Sequence, residues 1–122
     1  MKKILLINDS KFESLILKDM LIDIGYIAGI ADEYDAIDKV QAMHPDYIIV
    51  NRVMKGIYGD ELASKIKSRF PDIRCILSSC DSISIDDFEN TDIDAIIKTP
   101  IDQYRLKIVL NSMEYPKDDK RK

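Results

Sequence analysis

The chain alternates five short apolar runs with stretches of helical patterning, and this alternation limits its fold more than any other feature. The run DYIIV shows no polar alternation, as expected of a strand that is buried on both faces. Such strands occur in parallel sheets whose two faces are covered by helices. The predicted strands are, in order, KKILLIN, YIAGI, DYIIV, IRCILS and IDAII. Five strand and helix units without a linker or repeat predict one doubly wound α/β sheet.

The first predicted helix starts at the capping pair Asp9-Ser10 and ends at Gly25. Its apolar side chains are spaced by three and four residues, which predicts one side buried against the sheet. The members of this apolar arc are Phe12, Leu15, Ile16, Met20 and Leu21. In the last predicted helix, DQYRLKIVLNSM, the residues expected to face the core are Tyr104, Ile108 and Met113.

Three further helices are predicted between these two. The second helix, EYDAIDKVQAMH, is stopped by Pro45, and the third, DELASKIKSRF, is ended by Pro71. The fourth, SISIDDFEN, is acidic and poor in apolar residues, which suggests a short or mobile helix. A chain of 122 residues with 46% hydrophobic residues supports a single core. We therefore expect one domain over residues 1–115 and a charged, flexible tail over residues 116–122.

Charge and the length of the apolar runs exclude several classes of partner. The formal net charge is −4, so no overall positive field draws the chain to nucleic acid or to an anionic membrane surface. No apolar run reaches the roughly 18 to 20 residues that a membrane span needs, and we expect a soluble, cytoplasmic protein. Cys75 and Cys80 match neither a metal-binding pair nor a disulfide framework, so reduced, partly buried thiols are expected.

Candidate functional residues follow four of the predicted strands at the points where the strands end. They are Asn8 and Asp9 after the first strand, residues 51–53 after the third, 78–80 after the fourth and 98–100 after the fifth. In doubly wound sheets, ligands and chemistry collect at the carboxyl ends of the strands, beside the point where the strand order reverses. These residues are therefore the candidates for a functional site.

Four segments in order carry these strand ends: KKILLINDS, PDYIIVNRVMKGIYGDELA, PDIRCILSSC and IDAIIKTPID. Together, over roughly residues 2–114, they resemble a receiver domain of two-component response regulators. The first resembles a strand ending in an acid pair, and the second resembles the strand, phosphoacceptor and loop that follow in the family. The third resembles a strand ending in Ser or Thr, and the fourth a strand ending in Lys-Pro. The resemblance implies a flavodoxin-like (βα)5 fold with five parallel strands in the order 2-1-3-4-5.

The resemblance also implies roles for the strand-end residues. In the family, a phosphoryl group moves to an aspartate at the position matched here by Asn51. A magnesium ion is held at this position by two acids, matched by Asn8 and Asp9, and by a backbone carbonyl, matched by Val53. These four residues are thus the metal-site candidates.

Two further roles come with the resemblance. Ser79 matches the Ser or Thr that hydrogen-bonds the phosphoryl oxygen. A lysine pairs with the phosphoryl charge, and two alignments compete for its position. Alignment on Pro100 places Thr99 there, whereas a one-residue insertion places Lys98 there.

Ordinary structural roles are open for the same residues. The segment 8–10 suits the cap of the first helix, since such residues fill that role routinely. Asn51 suits a hydrogen bond to neighbouring loop amides, and Ser79 suits a satisfied strand end. Lys98 suits a solvated surface position.

The chain departs from the family pattern in ways that weaken phosphoryl chemistry. The amide of Asn51 has no full negative charge on oxygen, so it should not accept a phosphoryl group at a useful rate. Asn8 replaces one acid, which leaves Asp9 as the only carboxylate of the motif. Magnesium prefers hard anionic oxygens, so we expect a weak or lost Mg2+ site and no other cofactor. We also expect Lys98 or Lys55 to pair with Asp9 in place of the metal.

These departures favour a degenerate receiver that is not an enzyme and acts through protein–protein contacts. The expected partners are a sensor histidine kinase or another signalling protein, and a second copy bound through the fourth helix, fifth strand and fifth helix. The alternative is an ordinary phosphorylatable response regulator in which an introduced Asn51 replaces the acceptor. A nucleotide- or flavin-binding domain is disfavoured, because NDSKFES after the first strand has no glycine for a phosphate loop.

Overall fold

A five-stranded parallel sheet forms the centre of the computed structural model, which describes residues 2–114. The strands are β1 Lys3–Ile7, β2 Ile27–Ala31, β3 Tyr47–Asn51, β4 Arg74–Ser79 and β5 Ala95–Lys98. They lie in the order β2-β1-β3-β4-β5, so the predicted doubly wound, flavodoxin-like sheet is confirmed. The tail expected over residues 116–122 lies outside the described residues.

Within residues 2–114, four α-helices accompany the sheet: α1 Lys11–Ile24, α2 Ala36–Met43, α3 Gly59–Arg69 and α4 Gln103–Met113. The segment expected to form the fourth helix contains a single 3-10 turn, Ile85–Phe88. Over residues 2–114 the expectation of five α-helices is therefore wrong by one, while the expected shortness of this element is confirmed. No residue of the turn is buried, and a helix without a buried apolar face gains too little to offset the ordering of its backbone. None of the described helices is long and apolar enough to cross a membrane.

Local capping sets where the first two helices begin and end. The Ser10 hydroxyl accepts a hydrogen bond from the Glu13 N–H (3.2 Å), and Gly25 ends α1 with a left-handed φ of 117°. The helix α2 begins later than predicted because an acidic turn precedes it. There Asp35 Oδ1 accepts from the Asp32 N–H, and Asp32 Oδ1 accepts from the Asp35 N–H, each at 2.9 Å.

Side chains of β1 enter two apolar clusters, one on each face of the sheet. Leu5 and Ile7 belong to the cluster that includes residues of α2 and α3, which we call the α2/α3 face. Ile4 and Leu6 belong to the cluster that includes residues of α1 and α4, which we call the α1/α4 face. Burial on both faces explains why the central strands show no polar alternation.

The buried side of α1 differs from the side predicted. Of the predicted arc only Leu21 is fully buried, and the arc is wrong for three exposed residues, Phe12, Leu15 and Ile16. The residues of α1 that are buried are Ser14, Leu17 and Leu21. Ser14 tolerates burial because its hydroxyl donates to the Ser10 carbonyl oxygen (2.9 Å). Because Ser14 is polar, the pattern of apolar residues in the sequence did not identify the core face of α1.

The core face of α4 is also partly different from the prediction. Met113 is buried as expected, whereas Tyr104 is 74% exposed and Ile108 is 51% exposed. The residues that join Met113 in the core are Leu106 and Leu110. They continue its spacing at three and four residues, while Tyr104 and Ile108 occupy the opposite side of the helix.

We expect only one of the two cysteines to react readily in the folded protein. Both are free thiols, but Cys80 is exposed rather than partly buried, whereas Cys75 is buried in β4. Burial raises the pKa of the Cys75 thiol from 9.0 to about 12, which lowers its thiolate fraction near pH 8 about a thousandfold. Iodoacetamide should therefore modify Cys80 and spare Cys75, as intact mass against time would show.

Protein unfolded in denaturant, in which both thiols react, is the control for this labelling. Equal rates for Cys75 and Cys80 in the folded protein would contradict the burial of Cys75.

Because the pKa of Cys75 is higher in the folded state, its contribution to stability is complete below the unfolded pKa near 9. That contribution should be lost as the pH rises through about 12.

Candidate functional site

The strand register gathers the candidate residues at one edge of the sheet. The strands β1 and β3 are neighbours, Asn51 at the end of β3 pairs with Ser78, and Ser79 at the end of β4 pairs with Lys98. All strands are parallel, so the loops that follow them meet at their carboxyl ends. The candidate residues therefore lie at the edge of the sheet where they were expected, and their functional roles stay predictions.

Asn8 is buried after β1, and both ends of its amide are engaged. Its Oδ1 accepts a hydrogen bond from the Ser10 N–H (2.9 Å), and its Nδ2 donates to Glu13 Oε1 (2.6 Å). The first contact closes a turn that leads into α1, as asparagine side chains commonly do. An aspartate at this position would lack the donor that reaches Glu13. The contacts of Asn8 are those of a capping residue.

Asp9 is exposed, and its Oδ2 accepts a hydrogen bond from the Lys55 N–H (3.2 Å) in the loop between β3 and α3. Within residues 2–114, no ion pair of 4.0 Å or less joins Asp9 to Lys55 or to Lys98. The expected pairing with one of these lysines is therefore wrong. Both lysine side chains are exposed, and an exposed ion pair adds little over separate hydration of its two charges.

Asn51 donates a hydrogen bond from Nδ2 to the carbonyl oxygen of Val53 (2.9 Å). An amide can make this contact because its nitrogen is a donor, whereas an ionised carboxylate can only accept. The bond engages the same carbonyl that the family resemblance assigns to the metal. It is also the kind of local loop contact that an ordinary structural role for Asn51 would require.

Ser79 is almost fully buried at the end of β4. Its Oγ accepts a hydrogen bond from the Asp81 N–H (3.0 Å), which satisfies the turn after the strand. The preceding Ser78 donates its hydroxyl to the Val50 carbonyl oxygen across to β3 (3.4 Å). The contacts of Ser79 are thus those of a satisfied strand end.

Lys98 and Thr99 occupy different surroundings at the end of β5. Lys98 is exposed, and its Nζ donates to the Ser82 hydroxyl (3.1 Å). Thr99 is buried, its N–H donates to the Ser79 carbonyl oxygen (2.9 Å), and a cis peptide bond joins it to Pro100. The strand pairing therefore continues through Thr99, while the charged end of Lys98 turns to the loop after β4.

Strand alternation separates these two side chains further. Ile49 and Ile97 both belong to the α1/α4 face. Asn51, two residues after Ile49 in β3, continues on that face. Thr99 lies just beyond the end of β5, two residues after Ile97, and it lines a cavity with Leu17 of the same face. Lys98 continues on the opposite face. The structure thus brings Thr99, and not the ammonium group of Lys98, to the side of the sheet where Asn51 lies.

Two contacts at this edge involve residues that the sequence analysis did not single out. Glu33, in the loop after β2, accepts a hydrogen bond from the Gly56 N–H through Oε2 (2.9 Å). Arg52, after β3, lies 3.8 Å from Asp81, after β4, measured from Nη1 to Oδ2. Glu33 and Asp81 fall outside the four motif segments, so only the rule that loops converge at this edge could have pointed to them.

The oxygen donors at the strand ends do not fit a magnesium site. Magnesium needs near-octahedral geometry and prefers carboxylate oxygens, of which Asp9 supplies the only one in the motif. The carbonyl of Val53 and the Oδ1 of Asn8 already accept hydrogen bonds. Within the described part of the chain, no group of three or more His, Cys, Asp or Glu side chains is arranged to hold a metal ion.

Residues 4–111 match the family model of the response regulator receiver domain. No curated protein sequence matches the chain. The receiver-domain match spans β2 to β5 in full and nearly all of β1 and α4, so it covers every candidate residue of the site.

Several solved structures of receiver domains share the fold of this chain at low sequence identity. Chemotaxis protein CheY4 of Vibrio cholerae is 20% identical with a TM-score of 0.84, and the match covers 92% of this chain and 98% of that one. A CheY-like receiver domain protein of Methanospirillum hungatei is 20% identical, with a TM-score of 0.83 and 93% of each chain covered. The response regulator TrrA of Thermotoga maritima, solved in complex with Mg2+-BeF, is 26% identical, with a TM-score of 0.82 and coverage of 93% and 99%.

Proposed function

This chain belongs to the response regulator receiver domain family, and we propose that it is a degenerate member that acts without an aspartyl phosphate. Receiver domains take part in two-component signal transduction, where they interact with histidine kinases and other signalling proteins. They are generally signalling modules rather than enzymes. For this chain we propose no catalytic activity, a cytoplasmic location, and an output set by binding to a kinase or another signalling protein.

The hydrogen bond from Asn51 to the Val53 carbonyl carries this proposal. It engages both the acceptor position and a carbonyl of the family's metal site, in a contact that a carboxylate could not make. Asn8 supports the proposal independently, because its amide is committed to Ser10 and Glu13. With Asp9 as the remaining carboxylate, Mg2+ binding should be weak.

A second copy of this chain is a further proposed partner, bound through the 3-10 turn, β5 and α4. The exposed side chains Tyr104 and Ile108 lie on α4 one helical turn apart and give this surface apolar area. The turn Ile85–Phe88 supplies less surface than a full helix would. Light scattering of the parent chain and of a Tyr104→Ala variant measures how strongly each of them self-associates.

The variant Asn51→Asp tests the proposed function. With acetyl phosphate and magnesium, the parent chain should gain no phosphoryl group, and Asn51→Asp should gain one only slowly. The double variant Asn8→Asp/Asn51→Asp should react more than about tenfold faster than Asn51→Asp. The reason is that one more anionic oxygen about 4 Å from a cation adds about 4 kcal/mol of gross attraction per unit charge product at an effective dielectric of about 20. Intact mass against time measures the rates.

The rate of Asn51→Asp alone separates the proposal from its alternative. If this single variant is phosphorylated as fast as the double variant, the pocket is competent once the acceptor is restored. The chain would then be an ordinary response regulator in which Asn51 stands for the acceptor aspartate. An Asn51→Ala variant, which should stay unmodified, is the control for reaction at other carboxylates.

A further inference from the structure

Two carboxylates from different loops hold a pair of consecutive backbone N–H groups at the carboxyl edge of the sheet. Asp9 Oδ2 accepts from the Lys55 N–H at 3.2 Å, and Glu33 Oε2 accepts from the Gly56 N–H at 2.9 Å. We call these four residues the loop clamp. Asp9 follows β1, Glu33 follows β2, and the two N–H groups belong to the loop between β3 and α3, so the clamp joins three loops.

The segment on either side of the clamp is held by further contacts of the chain itself. Asn51 donates to the Val53 carbonyl oxygen at 2.9 Å, before the clamp. Val53 also forms an isolated antiparallel bridge with Tyr58, which lies beyond the clamp. Tyr34 covers the clamped glycine, since a Cβ added to Gly56 would lie 3.1 Å from Tyr34 Oη. The loop thus needs no external ligand to satisfy these groups.

Charged side chains of both signs surround the clamp. Asp9 and Glu33 line a cavity of about 390 Å³, and the other charged residues that line it are Asp32, Asp35, Lys11, Lys39 and Lys55. Hydrogen bonds to an ionised acceptor are stronger than bonds between neutral groups, so the clamp uses the stronger kind.

We propose that Asp9 and Glu33 are positioning residues that hold the β3–α3 loop in a single arrangement without a metal ion. This inference rests on the proposed function, and it explains how a receiver without an acceptor could present a constant surface. A divalent cation at Asp9 would compete with the Lys55 N–H for the same carboxylate. The clamp therefore takes the place of the ion in ordering the loop.

Amide hydrogen exchange of the isotope-labelled full chain, read by NMR without magnesium or a phosphoryl donor, tests the clamp. Glu33→Ala removes the acceptor, so the Gly56 N–H should exchange at least about tenfold faster than in the parent chain, and the Lys55 N–H should also exchange faster. Glu33→Gln keeps a carbonyl acceptor without the charge and should give an intermediate rate. The buried amide of Ile49 should be unchanged in both variants, because the clamp acts on a loop and not on global stability.

Three results would overturn the clamp. One is a Gly56 rate in Glu33→Ala within about twofold of the parent rate. Another is an equal acceleration at Ile49 in Glu33→Gln, which would mean a general loss of stability. The third is a tenfold slowing of Gly56 exchange when millimolar magnesium is added to the parent chain, where we expect less than about a twofold change. None of these readouts involves phosphoryl transfer, so failure of the clamp and failure of the proposed function are distinguishable.

Discussion

Replacing Gly59 with alanine is expected to lower the free energy of unfolding by about 3 kcal/mol. Gly59 is buried at the first position of α3. A Cβ there would overlap the carbonyl oxygen of Asn51 and lie 2.9 Å from its carbonyl carbon and 3.0 Å from Val50 Cγ1. These atoms belong to the central strand and its core side chain, so they cannot move aside as a surface group can. Instead, α3 would have to shift away from the sheet. Equilibrium denaturation in urea would measure the resulting loss of stability.

Gly56→Ala is the matched control, because it adds the same methyl group three residues earlier in the chain, in the β3–α3 loop. Its Cβ would approach Tyr34 Oη at 3.1 Å, the far end of an exposed side chain that is free to rotate. The expected loss is below about 1 kcal/mol. If both variants lost equal stability, the close approach of α3 to β3 at Gly59 would not be the cause.

Replacing Leu21 with alanine is expected to destabilise the protein by about 3 kcal/mol. Leu21 is 0% exposed on the core face of α1, in the cluster on the α1/α4 face. Removal of its side chain deletes buried methyl groups and leaves a cavity that a close-packed core fills only partly. The difference in the midpoint of urea denaturation, at constant slope, measures this loss.

Leu15→Ala is the control, because it is the same substitution on the same helix. Leu15 is 57% exposed, so its truncation should change the free energy of unfolding by no more than about 0.5 kcal/mol. A cost at Leu15 equal to the cost at Leu21 would mean that Leu15 is buried, as the predicted arc requires, and would contradict the exposure of Leu15 in the structure.

The strands were predictable because their signal is local and strong. Runs such as DYIIV are apolar and show no alternation with polar residues. In a chain where strands and helices alternate, this pattern indicates a strand that is buried on both faces. The phase of α1 was not predictable in this way. Phe12 and Ile16 give the helix a second apolar stripe, and the polar Ser14 on the true core face is satisfied by the Ser10 carbonyl. Hydrophobic periodicity identifies the apolar sides of a helix, but contact with the sheet decides which of those sides is buried.

Some features of the site could likewise be predicted from the sequence, and others needed the structure. The positions of Asn8, Asp9, Asn51 and Ser79 followed from the rule that chemistry collects at the carboxyl ends of parallel strands. The surroundings of Lys98 and Thr99 needed the structure, because only there does the Lys98 ammonium group reach Ser82 while Thr99 is buried. Which of the two fills the lysine position stays a prediction. The expected ion pair of Asp9 with a lysine is wrong, and that carboxylate instead accepts a backbone N–H from another loop.

The sequence by itself determined the parallel α/β fold, and it set the amide of Asn51, rather than a carboxylate, at the end of β3. These properties depend on residue types and their order, which can be read directly from the sequence. The tertiary structure alone decided which helix faces are buried, where Lys98 points, and that Glu33 joins Asp9 on the β3–α3 loop. Such contacts join groups up to 46 residues apart, and they exist only after the sheet has brought the loop ends together.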